Sequence, residues 1–277
     1  MPNEELVQEL RGYLPDQFHR QLLDGSLQVL RLVNNPVRAH LFAAGLRELF
    51  SMSLQTLAPD ELVRKCAWFK QADNTDGLTR RQRALYATQG GLHNEFLREE
   101  LCIEPDELHK NLSKDFGELN KQTHVRPETL MTNEDEIEAF ADRAVGALND
   151  VFGSIRDLRK QLVDAIEAHI YREAVDALVS EAIRSLNLLA TRYSIKAVLT
   201  DQTHVREIDA EIIKYEATGT VDVELQYGSG SDFRKGEGAT LDQCFPFRCE
   251  ISAPVESPYS FYSELTVVDV DTSEWYE

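Results

Sequence analysis

The apolar positions of the chain change period once, and the change divides it in two. Through the first two thirds they recur every three or four residues, as on one face of a helix. In DQFHRQLLDGSLQVLRLV (16–33), Phe18, Leu22, Leu23, Leu27 and Leu30 form such a face. Asn35 then reads as an N-cap with Pro36 in the first turn, where its missing N–H costs nothing, and the next helix runs to about Leu57. A short helix follows in APDELVRKCAWF. Thr79 caps RRQRALYATQ, which Gly90 and Gly91 end. Further helices are expected in LHNEFLREEL and in PDELHKNLSKDFGELNKQ.

Asn133, three residues before Glu136, opens the longest helical pattern. Ile137, Ala141, Ala144, Leu148, Val151, Ile155, Leu158, Leu162, Ala165 and His169 step alternately by four and three, a heptad seam. It reads either as a dimerising coiled coil or as part of an antiparallel hairpin packed on the N-terminal helices. Its three alanines favour the hairpin. The register breaks at His169–Arg172, and Val175, Leu178, Val179, Ala182, Leu186 and Leu189 make a new face.

Beyond this block the period falls to two. EIIKYEATGTVDVELQYG sets Val221, Val223, Leu225 and Tyr227 on one face, and CFPFRCEI and YSELTVVDV read as further strands. GSGSDFRKGEGA between them is a glycine-rich hairpin connection. The expected fold is α+β: a mainly helical N-terminal two thirds with a long helical hairpin or coiled coil, then a small antiparallel β-sheet. The expected divisions are residues 1–130, 131–195 and 196–277.

Charge narrows the function. The 277 residues carry a formal net charge of -19. Residues 201–277 hold 17 acidic and 5 basic side chains, whereas 31–126 hold 13 and 14. The acidic part would repel a nucleic-acid backbone, which excludes a broad DNA-reading groove and leaves room for a local basic pocket in the first half. No apolar run approaches the roughly 18 residues of a membrane span. The acidic start MPNEELVQEL lacks a signal's apolar segment, so a cytoplasmic protein is expected. Cys66, Cys102, Cys244 and Cys249 form no CxxC pair and read as ordinary thiols; the last two should face opposite sides of a strand.

Several chemistries are excluded by motif. None of the 9 lysines follows an acidic residue two positions before it, and none of the 7 histidines follows an arginine by five to seven positions. HxK, HExxH, GxSxG and the Walker A loop are also missing. The pentapeptide QTHVR occurs at 122–126 and again at 202–206, but no similarity extends beyond it, so it marks no duplication. The first copy closes a helix; the second reads as a linker into the sheet.

The remaining candidates are polar residues in helical context. Arg47 and Glu48 interrupt an apolar helix between Leu46 and Leu49. TRRQR puts Arg80, Arg81 and Arg83 in the first turn of a helix, against its dipole, where a carboxylate such as Glu48 or a bound anion must compensate them. His124 can move a proton and Arg126 can hold a phosphate at two points.

FAAGLRELF (42–50), LAPDELVRKCAWF (57–69), LTRRQRALYATQGGL (78–92), QTHVRPET (122–129) and GTVDVELQYGSGSDFRKGEGA with FPF (219–247) resemble, in this order, the predicted pPIWI-associating nucleases of prokaryotic conflict and anti-phage systems. The resemblance implies a helical nuclease-like domain, a role in defence, and weight for the first QTHVR. On this reading the protein cleaves a phosphodiester. His124 is the general acid/base, Arg126 holds the phosphate, and Arg47, Arg80 and Arg81 support the substrate. Glu48 orients a cation or binds a metal, with Mg²⁺ or Mn²⁺ left open. Nucleic acid, other defence proteins and a second copy of the chain are the partners to consider. The alternative is a non-enzymatic adaptor that oligomerises through its helices and binds a protein through the acidic sheet.

Overall fold

A computed structural model describes residues 1–73, 75–103, 130–185, 193–227, 230–236 and 238–273. Its contacts divide into two compact units, Met1–Leu162 and Val163–Glu277.

The first unit opens with α1 (Glu4–Tyr13), which the sequence reading did not anticipate. Its acidic first turn hides a short inward face of Val7 and Leu10. Next come α2 (Gln17–Leu30), α3 (Arg38–Leu57), α4 (Asp60–Lys65), α5 (Arg80–Gln89) and α6 (Asn94–Glu99). On α2, Leu23, Leu27 and Leu30 are buried as expected, but Phe18 is exposed and His19 takes the inward place beside it. Asn35 accepts from the Val37 N–H in an Asx turn, so α3 begins two residues after Pro36. Thr79 and Gln82 close a capping box on α5, and Gly90 ends that helix at φ 60°.

The heptad seam forms one 35-residue helix, α7 (Glu134–Ala168), about 50 Å long at ~1.5 Å per residue. Asn133 accepts from the N–H groups of Asp135 and Glu136 at its start. Ile137, Ala141, Ala144, Leu148, Val151 and Ile155 lie in the same core as Leu10, Leu23, Phe42, Leu46 and Leu49. The seam is therefore used within the chain. Its alanines allow close approach, and the rings of Phe42 and Phe140 meet edge to face at 6.3 Å.

The second unit holds the end of α7, then α8 (Arg172–Ser185) and an antiparallel meander in the order β1-β2-β3-β4. The strands are β1 (Tyr193–Ile208), β2 (Ile212–Tyr227), β3 (Ala239–Pro254) and β4 (Val267–Val270). The glycine-rich connection from β2 to β3 contains a single helical turn, α9 (Gly230–Lys235). Tyr215, Val221, Val223, Phe245, Phe247, Cys249 and Ile251 fill the inner face. Cys249 is buried and Cys244 exposed, on opposite faces as expected. Burial pushes the Cys249 thiol up to about 12.

The stretch expected to be a linker, including Gln202–Arg206, is part of β1. Its pairing shifts between Ile195/Ala197, Thr200/Gln202 and Val205/Glu207. Each bulge breaks the two-residue period by which a strand is read. Carboxylates on the helices take up N–H groups of this edge strand: Glu167 accepts from Val205 N (2.7 Å) and Asp176 from Thr200 N (2.9 Å). Gly219, opposite Thr200, has no room for a side chain. A Cβ there would lie 2.1 Å from the Leu199 carbonyl oxygen.

Candidate functional site

The polar residues of α3 and α5 come together in the first unit. Leu46 and Leu49 are fully buried, which turns Arg47 and Glu48 to the edge of α3. Arg47 Nη2 donates to Glu48 Oε1 at 3.2 Å, with the arginine side chain 33% and the glutamate 59% exposed. α5 packs against α3, with Ala84 in the shared core. This brings Arg80 within electrostatic range of both residues. Partial burial lowers the pKa of the Arg80 guanidinium from its ordinary value, and the like charge of Arg47 lowers it further, while Glu48 works in the opposite sense. The group still carries two full positive charges against one negative. Arg81, next along, is exposed.

The first turn of α5 is held firmly. Arg83 Nη1 donates to the Ala58 carbonyl (2.7 Å) and Nη2 to Asp60 Oδ1 (2.7 Å). Gln82 Nε2 donates to the Lys70 carbonyl at 2.6 Å while its Oε1 closes the capping box. Of the three arginines set against the helix dipole, Arg83 is thus compensated by Asp60 and Arg80 in part by Glu48. Two guanidiniums within electrostatic range of each other on packed helices are of the kind that can hold an oxyanion at several points. The carboxylate beside them can orient one guanidinium or accept a proton.

His124 and Arg126 lie outside the described residues, as does the helix expected over 105–122. Among the described residues no three His, Cys, Asp or Glu side chains converge as a metal site, and Glu48 is the carboxylate this cluster offers.

Two further polar groups escaped the sequence reading. Asp16 caps α2, accepting from His19 N (3.1 Å) and lying 2.7 Å from His19 Nδ1. The other ring nitrogen is 3.4 Å from Thr56 Oγ1 on α3. The bond to His19 holds the Asp16 carboxyl below its ordinary value. This chain clasps the start of α2 to the last turn of α3; the DQFH string at a helix start was its available signal. On the outer face of the sheet, Glu216 binds Arg206 through one oxygen and Arg248 through the other. Its side chain is 8% exposed, the arginines 56% and 61%. The hydrogen bond from Arg206, then that from Arg248, holds its carboxyl below the ordinary 4.5. His204 stands opposite Glu216 on β1, and its Nδ1 lies 3.3 Å from Glu167. The second QTHVR is therefore a piece of sheet whose arginine is spent on a neighbouring strand.

One family model matches residues 11–148 and another 155–276, and both are described as predicted pPIWI-associating nuclease. The chain belongs to this family. In this predicted pPIWI-associating nuclease the α3–α5 cluster lies in the first matched stretch and the Glu216 group in the second. The six residues between the two stretches fall inside α7. No curated protein and no solved structure matches the chain.

Proposed function

We propose that this protein cleaves phosphodiesters in nucleic acid as part of a prokaryotic defence system, working in the cytoplasm. The observation that supports this most directly is the meeting of Arg47, Glu48 and Arg80, three residues picked from the sequence for phosphate chemistry. The family's description supports the same reaction class. Arg47 and Arg80 hold the phosphate and offset the charge that builds on it during displacement. Arg81 adds a solvent-facing contact. Glu48 orients the guanidiniums or contributes to binding of Mg²⁺ or Mn²⁺. His124 serves as general acid/base and Arg126 as a further phosphate ligand. The family's description also makes a pPIWI protein the partner to test first.

The test incubates the full chain with single- and double-stranded DNA and RNA, with and without Mg²⁺ or Mn²⁺. Cleavage by the wild type that Arg47→Ala and His124→Ala each abolish supports the assignment. Equal cleavage by both variants removes these residues from the site. If no nucleic acid is cut or bound, the adaptor reading replaces this one, with the outer face of the sheet as the docking surface.

A further inference from the structure

The two sides of the sheet are finished differently. On the β1 side the strand carries three register shifts, and Glu167 and Asp176 take up N–H groups. On the other side β4 covers only Phe247–Glu250 of the 16-residue β3. β3 pairs with β2 from Ala239 to Pro254 without a register shift, so the alternation of a strand holds along its whole length. The Pro246 and Ser252 carbonyls accept from Asp271 N (2.9 Å) and Tyr262 N (2.8 Å). The backbone groups that point away from β2 are therefore those at even-numbered positions. By the same alternation the N–H and C=O groups of Thr240, Asp242 and Cys244 point outward, and among the described residues no strand pairs with them. Pro246 has no N–H to give and stands on this open side, where a strand tolerates it.

An open, regular strand edge recruits another strand unless bulges, charges or a covering segment blunt it. β1 is bulged and capped by helix carboxylates; residues 240–244 of β3 are neither. The side chains beside this edge differ on the two faces. On the inner face Leu241 continues the row of Phe245 and Phe247 and is 44% exposed, so an apolar side chain on an added strand would find a neighbour there. On the outer face stand Asp242, with Glu224 opposite it, and Asp222 opposite Cys244. Lys196 lies 2.6 Å from Asp242 and 3.6 Å from Glu224, one cation among three carboxylates. The whole second unit has 22 acidic and 9 basic residues. A second copy of the chain would bring the same acidic row against this one, and like charges across strands destabilise the pairing. A basic strand meets opposite charge.

We propose that residues 240–244 of β3 are a docking edge for an extended basic segment of a partner protein, which adds as a strand beside β3 in line with β4. Main-chain hydrogen bonds to Thr240, Asp242 and Cys244 hold the segment. Its lysine or arginine side chains fall on the outer face beside Asp242, and its alternate apolar side chains fall on the inner face beside Leu241. This site is independent of the phosphodiester cleavage proposed above.

The experiment measures binding of a labelled peptide, KTKVKVK, to the full chain by fluorescence anisotropy, and amide hydrogen exchange at single residues with and without the peptide. In the free chain the amides of Thr240, Asp242 and Cys244 should exchange fast, and those of Leu241 and Gln243, turned toward β2, should be slowed. The peptide at ten times its Kd should slow the first three by about tenfold. The same peptide N-methylated on every amide keeps its charges and loses its hydrogen bonds, and it should bind at least about tenfold more weakly. The acidic peptide EVEVETE should not bind. Cys244→Pro removes one outward N–H, as Pro246 already does, and should weaken KTKVKVK by about tenfold. Asp242→Lys should also weaken it, and thermal melting of both variants separates these effects from unfolding. No binding of KTKVKVK at low salt, equal binding of the N-methylated peptide, or protection of other amides instead overturns the proposal. Protection of the three amides in the free chain, with a dimer in sedimentation, also overturns it by making a second copy the occupant.

Discussion

Two arginines and one glutamate meet in each unit of the chain, and the two groups are built in opposite ways. On the sheet, Glu216 is buried and each of its oxygens takes one exposed arginine. Both guanidiniums have an acceptor, so the charge is settled within the fold. On α3 and α5 the glutamate is the exposed member, Arg47 is its immediate neighbour, and Arg80 approaches from another helix. There the like charge of Arg47 acts against Arg80, and Glu48 acts in the opposite sense. The same three side chains make a clasp on the sheet and, on the function proposed above, a phosphate receptor on α3 and α5. The buried carboxylate is shielded from solvent, whereas the exposed Arg47–Glu48 pair is weakened by solvent and salt screening.

The comparison can be broken most decisively by removing both arginines of the receptor. Arg47→Ala with Arg80→Ala should lower any measured cleavage by about 100-fold or more, the usual scale for losing transition-state charge stabilisation. Removing Arg206 and Arg248 together should leave the rate per folded molecule within about two-fold, because that group is given no part in the chemistry proposed for Arg47 and Arg80. A matching loss from the sheet pair would end the distinction between the groups.

A second test acts on the frame of the clasp. Gly219 lies against Leu199 and Thr200 of β1, the strand that carries Arg206, and a methyl group there meets backbone. Gly219→Ala should cost about 2 kcal/mol in denaturant unfolding monitored by strand circular dichroism. An unchanged midpoint would mean that β1 can shift without penalty.

The third uses pH. The folded-state pKa of Glu216 lies below its ordinary value, so its contribution to stability is complete above about pH 4.5 and is lost as pH falls through the lowered value. Glu216→Gln should melt at lower temperature than wild type at neutral pH, with the gap closing on acidification. A gap that persists into strong acid would show that the carboxylate's charge is not what the arginines hold. The smallest effect is expected at Glu48. Glu48→Gln should change stability by about 0.5 kcal/mol or less, since the pair is solvent-exposed. It should also strengthen phosphate binding a few-fold. Weaker binding would reassign Glu48 as the residue that orients the arginines.

What could be read from sequence followed the reach of the signals involved. Thr79, Gln82 and Gly90 act within one or two turns, so the limits of α5 were legible. The seam of α7 repeats often enough to be unmistakable, and its alanines pointed to packing inside the chain. β1 was missed because its bulges destroy the alternation over distances shorter than the window needed to see it. α1 was missed because a single pair, Val7 and Leu10, is a weak apolar signal beside four acidic and polar neighbours. The receptor was half legible. Arginines against a helix dipole announced that a compensating charge was required, and Glu48 was named as one source. Which arginine it would serve depended on how α5 sits on α3, a tertiary fact. The Glu216 clasp joins three strands across long sequence separations, and nothing local marks it.

The two family matches end and begin inside α7, a helix whose first four turns and more belong to the core of one unit and whose last residues belong to the other. A gene cut between the matched stretches would leave the first product without Ile155 and the second with a helix stub showing its apolar stripe to water. A cut between the matched stretches divides one continuous helix, so the two stretches are expected to depend on each other for folding.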